Sequence, residues 1–210
     1  MLAKKASPAA AVLAVEPNSA SRARLHTNLV WNGLHTLVDV APYAVAGSLG
    51  SMALYVPMGA DLLDTGASLE RTPLVSRTEL VVTAPIDVLL SLYGVSAPDL
   101  MKIDVEGLEE VALRGASRAL ANGPTLVLEI QSLDLFNRCG AILGEFGYRM
   151  YAVEDETLSL ESTPAPEGSE RWFAEHVRGR ALNYLCVVRD EHLQLARQGV
   201  ARVRALLDAG

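Results

Sequence analysis

The chain has 210 residues, enough for one domain with a sizeable core, and half of them are hydrophobic against a fifth charged, the balance of an ordinary soluble globular protein. A net charge of −7 with no basic run argues against a nucleic-acid partner, and no apolar stretch approaches the roughly 20 residues of a transmembrane segment. Cys139 and Cys186 lie far apart, and His26, His35, His176 and His192 form no metal-ligand spacing, so no metal is expected and the cysteines read as small buried residues of a reducing, cytoplasmic compartment.

In chain order, Met1–Val15 carries Lys4 and Lys5 and an Ala-rich run but no leucine-rich centre, so it reads as part of the fold and not as a signal peptide. Ala11–Val15 is a short apolar strand ending in Glu16-Pro17-Asn18. Asn18 or Ser19 can cap a helix that runs to about Asn32, with Leu25 and Leu29 inward and Gly33 at its end. Thr36–Val45 is strand-like with a break at Pro42, and Ser51–Val56 alternates like an edge strand, together suggesting a hairpin. Pro57–Arg77 shows no period and reads as a long loop. Glu79–Thr83 is a short strand, after which Thr83 can cap a short helix with Pro85 in its first turn.

The most informative stretch is Pro98–Ala116. Asp99–Val105 has the apolar pattern of a buried strand, Gly107 marks a turn, and Leu108, Val111, Ala112, Gly115, Ala116, Ala119 and Leu120 share one helical face. Glu106, Glu109 and Glu110 fall in the first helical turn and Arg114 and Arg118 later, which suits the helix dipole; Gly123-Pro124 ends the helix. A strand that stops abruptly in Asp104-Val-Glu106-Gly is a site candidate, because ligands of open parallel sheets bind at the strands' carboxyl ends. The plainer reading is that Asp104 caps the helix and Glu106 is a solvated acid. Beyond it, Pro124–Ile130 is a strand with Glu129 near its end, Ser132–Phe146 a helix, Tyr148–Val153 a strand, Glu154–Arg171 a loop, Leu182–Val188 the last strand, and residues 191–208 an amphipathic C-terminal helix. Strands alternating with helices predict a doubly wound, mostly parallel α/β sheet in a single domain spanning 1–210, with the last two strands, which lack a helix between them, pairing antiparallel at one edge.

Several segments carry a resemblance: Val12–Asn18, Arg24–Gly33, Tyr43–Gly47 with its hairpin, Ile86–Leu90, Pro98–Gly107, Leu113–Ala116 and Pro124–Ile130. In this order they resemble the FkbM family of S-adenosylmethionine-dependent methyltransferases, with Lys102-Ile-Asp-Val-Glu-Gly107 the most specific part. The resemblance implies a Rossmann-like class I methyltransferase fold and an O-methyltransferase acting on a hydroxyl of a sugar, glycolipid or polyketide-like small-molecule or glycan acceptor. It implies that Glu16, with Pro17 and Asn18, meets the ribose of S-adenosylmethionine, and that the segment around Ala44 walls the adenine. Asp104 then faces both cofactor and acceptor, and Asp104 and Glu106 are the catalytic candidates for drawing off the acceptor's proton. Acceptor choice is expected to sit in the loops Pro57–Arg77 and Glu154–Arg171.

The sequence departs from the family at its start. Met1–Ser7 resembles the end of a helix, and the next residues already match the family's second strand, so the first strand and its glycine-rich turn are missing from what is expected of the fold. On that reading the domain is N-terminally truncated and the chain holds S-adenosylmethionine weakly or not at all. The alternative function is then a non-catalytic remnant or binding module.

Overall fold

The computed structural model describes residues 9–57, 69, 75–154, 159–164, 169–176 and 182–208. Met1–Ser7 and most of the expected loop Pro57–Arg77 therefore lie outside the described residues. The chain divides into two compact units, Met1–Gly94 and Val95–Gly210.

The first unit opens with β1 (Val12–Val15), α1 (Ser19–Trp31) and β2 (Val38–Ala41), a β-α-β unit whose strands pair in parallel with Val12 beside Val38 and Val15 beside Ala41. Asn18 caps α1 as its sequence suggests: its Oδ1 accepts the amides of Ala20 at 2.9 Å and Ser21 at 3.0 Å. Leu29 is buried, and Gly33, at φ 65°, turns the chain out of the helix. Pro42 separates β2 from β3 (Tyr43–Val45), which enters a second sheet of order β3-β5-β4 with β4 (Gly50–Pro57) and β5 (Val75–Ala84). Ala44, Leu54 and Val81 form that sheet's core. Thr83 does not cap the following helix, α2 (Ile86–Leu92), whose capping position is Pro85. The Thr83 hydroxyl donates instead to the Ser48 carbonyl at 3.0 Å, tying β5 to the turn before β4.

The second unit is one five-stranded sheet of order β6-β7-β10-β8-β9. Its strands are β6 (Leu100–Ile103), β7 (Thr125–Ile130), β8 (Arg149–Glu154), β9 (Ser159–Ser162) and β10 (Leu182–Val187). The helix expected over 108–122 is two: α3 (Glu109–Arg114) and α4 (Ser117–Ala121). Gly115 is a poor helix former, and the Ser117 hydroxyl donates to the Arg114 carbonyl at 3.1 Å, so the ladder breaks there. α5 (Leu133–Glu145) starts at a Ser132 cap and buries Phe136, Cys139, Ile142 and Leu143. α6 (Ser169–His176) and α7 (Asp190–Asp208) complete the unit. Phe136 gathers Trp172, Phe173 and Tyr184 within 5.3–6.1 Å between ring centroids.

Two expectations need correction here. The expected loop Glu154–Arg171 contains β9 and the start of α6, and β9 and α6 stand between the last two expected strands. The antiparallel strand β10 lies inside the sheet, between β7 and β8, and the edge is β9. The architecture is mixed α/β, and less parallel than the alternation of elements suggests. Parallel pairing joins β1 to β2, β3 to β5 and β6 to β7, while the other four pairings among the described residues are antiparallel. β4–β5 and β8–β9 are neighbours in sequence, and β10 returns antiparallel between β7 and β8.

Candidate functional site

In the second unit the parallel register places Lys102 beside Val127 and Ile103 beside Leu128, so Asp104, the first residue past β6, comes level with Glu129, the penultimate residue of β7, at the carboxyl ends of the two strands. Lys102 Nζ meets Asp104 Oδ2 at 2.6 Å, with the lysine side chain 56% and the aspartate 33% exposed. Burial pushes the Glu129 carboxyl above the ordinary carboxylate value, the charge and hydrogen bond of Asp104 push it further, and Lys102 opposes them. Glu106 is half-buried, takes a left-handed backbone at φ 53°, and accepts from Gln131 Nε2 at 3.2 Å. Asp104, Glu106, Glu129, Lys102 and Gln131 thus crowd the ends of β6 and β7.

The plainer reading of Asp104 does not hold. The capping position of α3 is Leu108, which makes no side-chain cap bond, and Asp104 is engaged with Lys102. Glu106 lies outside the helix. Glu109 is the residue that serves the turn: its Oε1 accepts the Val105 amide at 3.0 Å and the Gly107 amide at 3.4 Å, and the residue is 1% exposed. Its carboxyl is raised by burial, which the two amides only partly offset. Glu110, next in sequence, turns the other way, to Arg114 and Arg138, which hold its carboxyl below the ordinary value. Sequence reasoning missed Glu109 and Glu129. The signal for Glu109 is its spacing, three, four, seven and eleven residues before Ala112, Leu113, Ala116 and Leu120, all of them buried.

In the first unit Glu16 follows β1 directly, and its amide donates to the Ala41 carbonyl at 3.0 Å. Its Oε1 accepts the Asn18 amide at 2.8 Å, which fixes the carboxylate across the turn. Burial raises the Glu16 carboxyl, the Asn18 amide and Arg22 pull it back, and Glu79 adds to the rise. Arg22 Nη1 holds the carbonyls of Glu16 at 3.0 Å and Pro17 at 2.9 Å. Asn18 spends its side-chain oxygen on the cap of α1, and its Nδ2 is buried without a hydrogen-bond partner. Glu79 on β5 accepts the amide and hydroxyl of Ser19 at 3.1 and 2.9 Å, a second anchor for the helix start. Ala44 is a core residue, 3% exposed. A half-buried carboxylate anchored at one oxygen and free to accept at the other is a fitting partner for a vicinal diol.

Cys139 and Cys186 are buried free thiols, as expected of small core residues, and burial pushes the Cys139 thiol up to about 12. No helix among the described residues is long and apolar enough to cross a membrane.

Each unit thus carries carboxylates at the carboxyl ends of strands that lead into helices, and the class of fold is mixed α/β. The methyltransferase FkbM domain model matches residues 1–150, and the chain belongs to that family. No curated protein sequence is similar to it. Among solved structures, it is similar to the methyltransferase FkbM from Methylobacillus flagellatus KT, at 18% identity and a TM-score of 0.47, over 83% of this chain. The matched part spans 36% of that protein's length.

Proposed function

We propose that the protein is an S-adenosylmethionine-dependent O-methyltransferase acting on a hydroxyl of a sugar, glycolipid or polyketide-like acceptor, on a Rossmann-like, doubly wound fold. The family match over residues 1–150 carries the reading, because it takes in both the Glu16 turn and the Asp104–Glu106 turn. The cofactor, when bound, supplies a methyl group on a sulfonium centre, open to attack by an oxygen. Glu16 is the residue for the ribose hydroxyls: its carboxylate is already oriented by the Asn18 amide, so little ordering is left to be done on binding. The acceptor oxygen gains the methyl group and gives up its proton. Asp104 and Glu106 are the candidates to draw that proton off, and Glu129, raised by burial, is the neighbouring carboxyl suited to take it up. Most of the rate would come from holding the acceptor oxygen in line. Two buried free cysteines suit a cytoplasmic setting.

Calorimetric titration with S-adenosylmethionine tests the reading, followed by labelled methyl transfer to a panel of hydroxylated acceptors. Glu16→Ala is expected to weaken cofactor binding by about 10–100-fold, the loss of one charge-assisted contact pair. Absence of binding by the native chain would leave the binding-module alternative standing, and unchanged affinity in the variant would remove Glu16 from the site.

A further inference from the structure

The turn between β6 and α3 is held in an unusual way. Leu108, at the capping position, offers no side-chain acceptor, and one buried carboxyl collects the amides instead. Glu109 Oε1 takes those of Val105, at 3.0 Å, and Gly107, at 3.4 Å. These two amides flank Glu106, whose left-handed backbone at φ 53° is a conformation that a residue with a Cβ enters only at a cost. The other oxygen of Glu109, Oε2, is buried with no hydrogen-bond partner.

For stability alone the arrangement is poor. A buried carboxyl that leaves half its hydrogen-bonding capacity unused is costly, and the position lies on the apolar stripe of Ala112, Leu113, Ala116 and Leu120, where an aliphatic residue would pack without that cost. What the carboxyl does that an aliphatic residue cannot is accept from both sides of Glu106 at once. We infer that Glu109 is the positioning residue of the acidic turn, fixing Glu106 in its left-handed conformation and with it the direction in which Asp104 and Glu106 leave the strand end. The inference rests on the methyltransferase reading for what the turn serves, and on the hydrogen bonds alone for how the turn is held.

The test uses the full chain with Glu109→Leu, Glu109→Asp and Glu109→Gln. Three quantities are followed: amide hydrogen exchange at Val105 and Gly107, global stability in urea, and methyl-transfer turnover. In Glu109→Leu the two amides should exchange about tenfold faster than any change in global stability explains, the scale of one lost hydrogen bond. Should Glu109→Leu fail to fold, Glu109→Asp, shorter by one methylene, should lose the protection of at least one of the two. Glu109→Gln keeps a carbonyl oxygen in place, so exchange and turnover should stay within about twofold of the native chain. Turnover of the unrescued variants should fall further than any loss of folded protein explains. A merely space-filling Glu109 would shift global stability and leave the two amides moving in step with it, and that outcome overturns the inference, as does failure of Gln to restore them. Methyl transfer missing from the native chain would count against the function, while the exchange data would still decide the positioning role.

Discussion

Glu106 offers the sharpest test of the site, because its backbone and its carboxylate make opposite demands. At φ 53° a Cβ-bearing residue carries about 1–2 kcal/mol of steric cost that glycine escapes, while glycine surrenders about 0.5–1 kcal/mol more backbone entropy on folding. The Gln131–Glu106 hydrogen bond, between exposed groups at 3.2 Å, is lost in both Glu106→Gly and Glu106→Ala and cancels in the comparison. Glu106→Gly should therefore be more stable than Glu106→Ala by about 0.5–1 kcal/mol, which is about 2 °C in Tm for a chain of this length. At an ordinary position the sign is reversed, alanine being favoured by about 0.4–1 kcal/mol. Urea unfolding followed by tryptophan fluorescence reads it out. Trp31 is 79% exposed and so changes environment little, whereas Trp172 packs against Phe136 and Tyr184 in the same unit as Glu106. Turnover should be low in both variants, since both lack the carboxylate. An alanine variant as stable as the glycine variant, or more so, would refute the left-handed turn and the positioning built on it.

Asp104→Asn should leave stability within about 0.5 kcal/mol, because the carboxylate is one partner of a solvent-facing ion pair and caps no helix, yet turnover should fall about a hundredfold if it assists proton removal. Near-native turnover would exclude it from the chemistry. Glu129 should show itself in the pH dependence of stability. Its carboxyl is raised in the folded chain, so its contribution is fully present below the ordinary value of 4.5 and is lost as pH rises through the folded pKa. Glu129→Gln should then flatten the decline in stability from pH 4.5 toward neutrality, measured by urea midpoints across that range, and a profile parallel to the native one would show that the raised value is not there.

What the sequence made legible follows from how local the signals are. Asn18 before a helical run is a short-range capping signal, and the structure uses it that way. The break at Pro42 is equally local, since proline cannot donate to a ladder, and β2 ends just before it. The turn bearing Asp104 and Glu106 was readable because a strand's pattern stops there and glycine follows. β9 was not readable: Ser159–Ser162 is four residues with one apolar side chain, and only its pairing with β8 makes it a strand. The internal place of β10 was hidden for the same reason, since strand order is a long-range property. Glu109 is hidden by its residue type: an acid near a helix start suits the dipole, and only its spacing to Ala112, Leu113 and Ala116 marks it as buried.

Glu109 and Glu110 show how much of this site's electrostatics is decided by one residue's step around a helix. Their chemistry is the same and they are adjacent in sequence, yet the rotation between them separates two environments. Glu109 points under the turn, where burial outweighs the amides it accepts and the charge of Asp104 adds to the rise, so its carboxyl stays above the ordinary range. Glu110 emerges between Arg114 and Arg138, which favour its charged form and lower it. The pH consequences oppose each other. The contribution of Glu110 is present above the ordinary carboxylate value and disappears as pH falls through its lowered pKa, whereas that of Glu109 is present at acid pH and disappears as pH rises through its raised one. The α3 start is thus held on its outer side by charge and on its inner side by a carboxyl whose neutral form is favoured. On the proposed function, Asp104 and Glu106 are then the acids of the turn nearest an acceptor, with Glu109 beneath them holding the backbone they project from.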